Sequence, residues 1–168
     1  MMHFEREGPI AILAVSAEGL SLAGNLAAPL RRETGRGQVT LWIPHRFEEE
    51  GGFGQNEARQ FPGKLSEFVG TLWRDHAAIV GVMASGIMVR AIAPWVDSKL
   101  TDPAVVVVDD AGRYVISLLS GHEGGANRLA GSIAGITGGV AIITTGTEAR
   151  RRIVAGVGAR RGVSSEGV

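Results

Sequence analysis

The segment Ser120-Gly121-His122-Glu123-Gly124-Gly125-Ala126-Asn127 crowds several residue types useful in a site into eight positions. An imidazole titrates near pH 6.5, so His122 can take or give a proton at neutral pH. It is the proton-transfer candidate, and Glu123 and Asp102 are the carboxylates that can orient it or share its proton. Glycines cost backbone entropy, up to about 1 kcal/mol each in a regular element. Close approach of a bulky ligand accounts for Gly121, Gly124 and Gly125 better than a plain connection does. Both Ser85-Gly86 and Gly124-Gly125 precede helical patterns, where N–H groups and the positive dipole end favour anions. Arg90 and Lys99 add cations that can pair with carboxylates. The expected substrate contacts are therefore Ser85, Gly86, Arg90, Lys99, Ser120, Gly121, Gly124, Gly125 and Asn127, with His122, Glu123 and Asp102 catalytic. Plainer roles exist: Ser85 as a helix cap, Asp102 before Pro103 as a turn residue, Asp109 and Asp110 as turn formers.

These residues need elements to carry them. Ile10 to Val15 is a continuous apolar run suited to a strand buried on both faces. Ser16 can cap a helix whose apolar face is Leu20, Ala23, Leu26, Ala27 and Leu30, with Gly35 ending it and Pro29 expected to kink or shorten it. Val39 to Ile43 reads as a second strand, and His45 to Pro62 as an aperiodic loop. A helix over about 62–75 precedes a third strand, Ala77 to Met83. Ala104 to Val108 and Tyr114 to Leu119, joined by Asp109-Asp110-Ala111-Gly112, give the clearest hairpin pattern. A small-residue helix to about Ile136 and a strand from Val140 to Ile143 follow.

Alternating strands and helices predict a three-layer α/β/α open sheet, mostly parallel, Rossmann- or flavodoxin-like, with one β-hairpin. Ligands in such sheets bind beyond the carboxyl ends of the strands. With the first three strands parallel, Ser16, His45, Arg46, Ser85 and Gly86 share one edge. A hairpin strand Ala104–Val108 reversed against Ala77–Met83 would bring Asp102 and Ser120 to His122 to that edge, with Thr144, Thr145 and Thr147. Asp109 and Asp110 would then lie on the opposite side.

Composition removes other classes. The chain has 168 residues and 17.6 kDa, enough for one domain. Seventeen Lys and Arg balance seventeen Asp and Glu, which argues against a nucleic-acid partner. No cysteine is present, so thiol catalysis, Cys-held metals and disulfides are excluded. The longest apolar stretch, Ala77 to Ala84, is far short of the roughly 20 residues of a membrane span. Residues 1–8 lack a signal-type apolar region, and a cytoplasmic location is expected. Gly156-Val157-Gly158-Ala159-Arg160-Arg161-Gly162 has the wrong spacing for a dinucleotide loop, and no helix pattern follows it. The domain is expected over 1–148. Residues 149–168 read as a basic link, Arg150-Arg151-Arg152, one candidate strand at Ile153 to Val157, and the start of a further domain.

The run Ser85-Gly86-Ile87-Met88-Val89-Arg90-Ala91-Ile92-Ala93-Pro94, then Lys99, Asp102 to Asp109, Gly112 and Ser120 to Asn127, resembles the N-terminal domain of the cobalt-precorrin-5A hydrolase family (CbiG) of anaerobic cobalamin biosynthesis. The resemblance covers about residues 9–148, and Gly156 to Ser165 resembles the opening of the family's C-terminal domain. It implies a longer enzyme that opens the δ-lactone of a cobalt-containing contracted-ring precursor and expels acetaldehyde, giving cobalt-precorrin-5B. It also implies no cofactor held by the protein, because cobalt travels with the substrate. The expected partners are that corrinoid intermediate and a C-terminal domain or a second copy, with no membrane or nucleic acid. A non-catalytic tetrapyrrole-binding or assembly module is the alternative.

Overall fold

A computed structural model describes residues 8–34, 39–45 and 58–146. Among these residues, seven strands and four helices follow one another: β1 (Ile10–Ala14), α1 (Ala17–Thr34), β2 (Val39–Pro44), β3 (Ala58–Phe61), α2 (Leu65–Trp73), β4 (Ala78–Val82), α3 (Ser85–Ile92), β5 (Ala104–Val108), β6 (Tyr114–Leu119), α4 (Ala126–Thr137) and β7 (Val140–Ile142). The strands form one sheet in the order β3-β2-β1-β4-β5-β6-β7. β1 to β5 are parallel, β6 runs antiparallel to β5, and β7 runs parallel to β6. The three-layer, mostly parallel α/β expectation holds.

Continuous β-branched and small apolar runs suit strands covered on both faces. Every residue of β1, β4 and β5 is buried. One core packs α1 and α4 on one face, through Leu20, Leu26, Leu30, Leu129 and Ile133. The other packs α2 and α3 on the opposite face, through Val69, Leu72, Met88 and Ile92. Each fully buried Leu, Ile, Val or Met contributes about 1.5–3 kcal/mol. That sum explains why α1 continues through Pro29 to Thr34 instead of stopping. An interior proline costs about 3 kcal/mol, and the buried face of this helix outweighs it.

Two corrections concern what surrounds these elements. The stretch read as one loop from His45 to Pro62 contains a strand, β3, parallel to β2. Its anchor is aromatic: Phe61 stacks on Phe68 at 4.7 Å, and Trp42 lies 4.9 Å from Phe68. The second correction is larger. β5 is parallel to β4, pairing Ala78 with Ala104 and Val82 with Val108, so the hairpin strand is not reversed. α3 and the loop after it form a crossover, and a crossover joins parallel neighbours. Asp102 and Ser120 therefore sit at the amino ends of the parallel strands. Ser85 and Gly86 sit at the carboxyl ends, and Asp109 and Asp110 lie with them. The expected site is split between the two edges. At about 3.3 Å per residue, strands of five residues put roughly 17 Å between these edges.

The basic link, the candidate strand at Ile153 to Val157, Arg46 and Thr147 lie outside the described residues.

Candidate functional site

The amino edge is assembled around a tight loop, Ser120 to Gly125, between β6 and α4. Ser120 has φ +55 and Gly125 has φ +86, both left-handed. Gly125 meets that requirement without strain, whereas Ser120 carries a cost that its contacts must offset. Its hydroxyl donates to the Asp102 carbonyl at 3.2 Å. A Cβ on Gly124 would lie 2.4 Å from Ser120 Cβ, so this glycine is required by the close approach of two backbones. The loop carbonyls of Ser120 and Gly121 accept the N–H groups of Ala126 and Asn127 at 3.2 and 3.0 Å. The Ala126 and Asn127 donors at the start of α4 are thus used inside the protein.

Within this loop His122 is exposed. Glu123 lies 3.7 Å from Lys99, both on the surface. Its carboxyl is held below the ordinary range by a hydrogen bond from its own backbone N–H, then by the Lys99 charge, with His122 adding less. Glu123 is thus a carboxylate at neutral pH, beside His122. Asn127 is 8 % exposed, and its amide joins Ser117 and Thr145. Strand β7 delivers Thr145 to this edge, beside the Ser120 to His122 loop as expected from the sequence.

Asp102 is 5 % exposed and heavily engaged. Its carboxylate accepts Trp73 Nε1–H at 3.2 Å and the Asp97 N–H at 3.3 and 3.1 Å. It fastens the α3–β5 loop to the end of α2, so it is first a bracket. It also lines a cleft of about 350 Å³ with Trp73, Arg74, Pro94, Trp95 and Thr101. Sequence reasoning did not include Trp73 in this site. Its position four residues after Val69 on the apolar face of α2 was the available signal.

The carboxyl edge holds the other expected residues. Ala84, not Ser85, is the N-cap of α3, and Ser85 and Gly86 are exposed in its first turn. Arg90 folds back onto the Gly86 carbonyl at 2.9 Å, so it stays on this edge and does not approach His122. Ser16 caps α1, accepting the Gly19 N–H at 3.1 Å, and its hydroxyl donates to Asp110 at 3.0 Å. Asp109 is a turn former, accepting the Tyr114 N–H. His45 follows β2 on this edge, away from His122.

Residues 67–148 match the family described as Cobalamin synthesis G N-terminal. Cobalt-precorrin-5A hydrolase of Salmonella typhimurium is 38% identical over 88% of the chain. The enzyme of the same name from Priestia megaterium is 32% identical over 88%. The chain spans 38% of the length of each. The crystal structure of a cobalamin biosynthesis protein G homolog from Sulfolobus solfataricus superposes with a TM-score of 0.60 at 29% identity, covering 81% of this chain and 36% of that one. The matched stretch takes in the whole Ser85 to Asn127 run, and residues 67–148 belong to the Cobalamin synthesis G N-terminal family.

Proposed function

We propose that this chain supplies the His122 edge of a cobalt-precorrin-5A hydrolase in cobalamin biosynthesis, acting within a protein of its relatives' length. The observation that carries the reading is the amino edge, where His122 and Glu123 stand beside Lys99 on a loop pinned to the Asp102 carbonyl and the Asn127 backbone N–H. Both curated relatives bear the hydrolase name.

The chemistry asks for little beyond acid–base groups. Water adds to the lactone carbonyl and the ring C–O bond breaks, leaving a carboxylate and a hydroxyl. A base then takes the hydroxyl proton. The carbon–carbon bond breaks, its electron pair stays with the macrocycle, and the former hydroxyl carbon leaves as the carbonyl of acetaldehyde. His122 is placed to move these protons, and Glu123 holds the imidazole or its charge. Lys99 offers a cation to a carboxylate arm of the substrate. Asp102 supports the loop through its main-chain carbonyl, which accepts the Ser120 hydroxyl. Arg90, Ser85 and Gly86 serve a contact on the far edge. The cobalt enters with the substrate, the compartment is the cytoplasm, and the partner is the remainder of the longer protein or a second copy.

A second reading, a tetrapyrrole-binding module without turnover, draws on the chain's 38% share of its relatives. Acetaldehyde separates the two. This chain and a version extended to the relatives' length are each given cobalt-precorrin-5A, and acetaldehyde and corrinoid binding are measured. Release by the longer protein is expected. Binding without release would sink the enzyme reading.

A further inference from the structure

We infer that Asn127 is a positioning residue that acts through the His122 loop and does not touch the substrate; this rests on reading that loop as the reactive site. Both side-chain polar atoms and the backbone N–H of Asn127 are engaged at a junction of three segments. Its Oδ1 accepts the Ser117 hydroxyl from β6 at 2.8 Å. Its Nδ2 donates to Thr145 Oγ1, beyond the end of β7, at 2.9 Å. Its backbone N–H donates to the Gly121 carbonyl, one residue before His122, at 3.0 Å. A Cβ on Gly121 would fall 2.8 Å from Asn127 Oδ1 and 3.0 Å from Thr145 Cγ2, so the loop closes directly onto this amide. Burial keeps the amide away from an arriving ligand. A half-satisfied buried amide is costly, so the bonded arrangement fixes one loop conformation.

The polarity of the network gives a test that separates support from contact. In Asn127→Asp the Ser117 bond survives, and the Thr145 hydroxyl can rotate to donate to the new oxygen. In Asn127→Ala both bonds are lost. A positioning residue therefore tolerates Asp better than Ala. A residue that donated to a carboxylate arm of the substrate would show the reverse order, because Asp would repel that arm.

Hydrogen exchange on the 168-residue chain reads the loop without any turnover. Asn127→Ala should speed exchange at the backbone amides of positions 126 and 127 by about tenfold or more, with β1 and β4 unchanged. Asn127→Asp should leave the same amides within about threefold of the wild-type rate. Unchanged exchange in Asn127→Ala, or equal loosening in Asn127→Asp, overturns the inference. If Asn127→Ala does not fold, Thr145→Val removes one bond alone and should loosen the same amides. In the form that releases acetaldehyde, Asn127→Ala should lower kcat with KM within about twofold, and a rise confined to KM would mark a substrate ligand instead. Normal turnover in His122→Ala would remove the reactive-site reading while leaving the exchange result standing, so the two failures are distinct.

Discussion

The two edges of this sheet are organised by different means. At the carboxyl edge, the start of α1 is finished by a side chain and by the turn that reaches across: Ser16 caps α1 and donates to Asp110, while α2 and α3 begin with no side-chain cap. Gly86 and Ser85 are left on the surface. At the amino edge, backbone carbonyls fill the start of α4, and two buried side chains, Asp102 and Asn127, tie loops to one another. The first arrangement leaves exposed residues at the carboxyl ends of the parallel strands, where open α/β sheets usually receive ligands. The second commits its polar groups to holding His122 and Glu123 in place. Residues that stand together in one recognisable run of sequence need not meet in one site.

The strongest response is expected from asking which edge does the chemistry. In the form that releases acetaldehyde, His122→Ala should lower turnover by about 10²–10⁴-fold, the share of one acid–base group. Ser85→Ala should leave the chemical step within about threefold and change KM if anything. Equal losses at both would abolish the distinction between reactive and peripheral edge.

Next comes stability. Asp102→Ala leaves Trp73 Nε1–H and the Asp97 N–H without their acceptor. A buried donor left unsatisfied, as Trp73 would be, costs about 1–3 kcal/mol, and the part-buried Asp97 N–H adds less, so thermal or denaturant unfolding should shift by about 2–4 kcal/mol. Ser16→Ala at the other edge removes a helix cap and should cost about 1 kcal/mol. A smaller loss at Asp102 than at Ser16 would mean that the carboxylate is free for chemistry and is not a bracket.

The weakest response depends on pH. Glu123 titrates below its ordinary value of 4.5 in the folded chain. A depressed carboxyl stabilises the fold above its unfolded pKa, and that contribution disappears as pH falls through the folded value. Unfolding measured from neutral pH down into the acid range should therefore show wild type and Glu123→Gln converging on the acid side. A constant gap at all pH values would assign the difference to something other than this ionisation. Because the Lys99 pair is exposed, added salt should narrow the gap as well.

Much of the frame was legible in the residues. Uninterrupted apolar runs marked β1, β4 and β5, and the Asp-Asp-Ala-Gly turn marked the β5–β6 hairpin. Strand direction was harder, because a hydrophobic run has no arrow. The needed clue was the helical pattern between Met83 and Ala104, which makes a crossover and not a second hairpin. β3 was hidden because Arg59 and Gln60 are exposed at the sheet's rim and only Phe61 is buried. Of the site, the composition of the Ser120 to Asn127 loop was readable, and the inward commitment of Asp102 and Asn127 was not. Their partners Trp73 and Thr145 are brought together only by the sheet, since nothing local links positions 73 and 102 or 127 and 145.

The strand order also governs when the fold can close during synthesis. β1 leaves the ribosome before either of its neighbours, β2 and β4, and Ile10 must wait for Ala78 to complete its pairing. Until β4 is made, one side of β1 has no backbone partner. The β5–β6 hairpin needs no such delay, since Val108 meets Val115 across a short turn. Local pairing is quick and distant pairing slow. The half of the chain that carries His122 can therefore begin to order by itself, and the earlier-made half is the one exposed to misassembly while it waits.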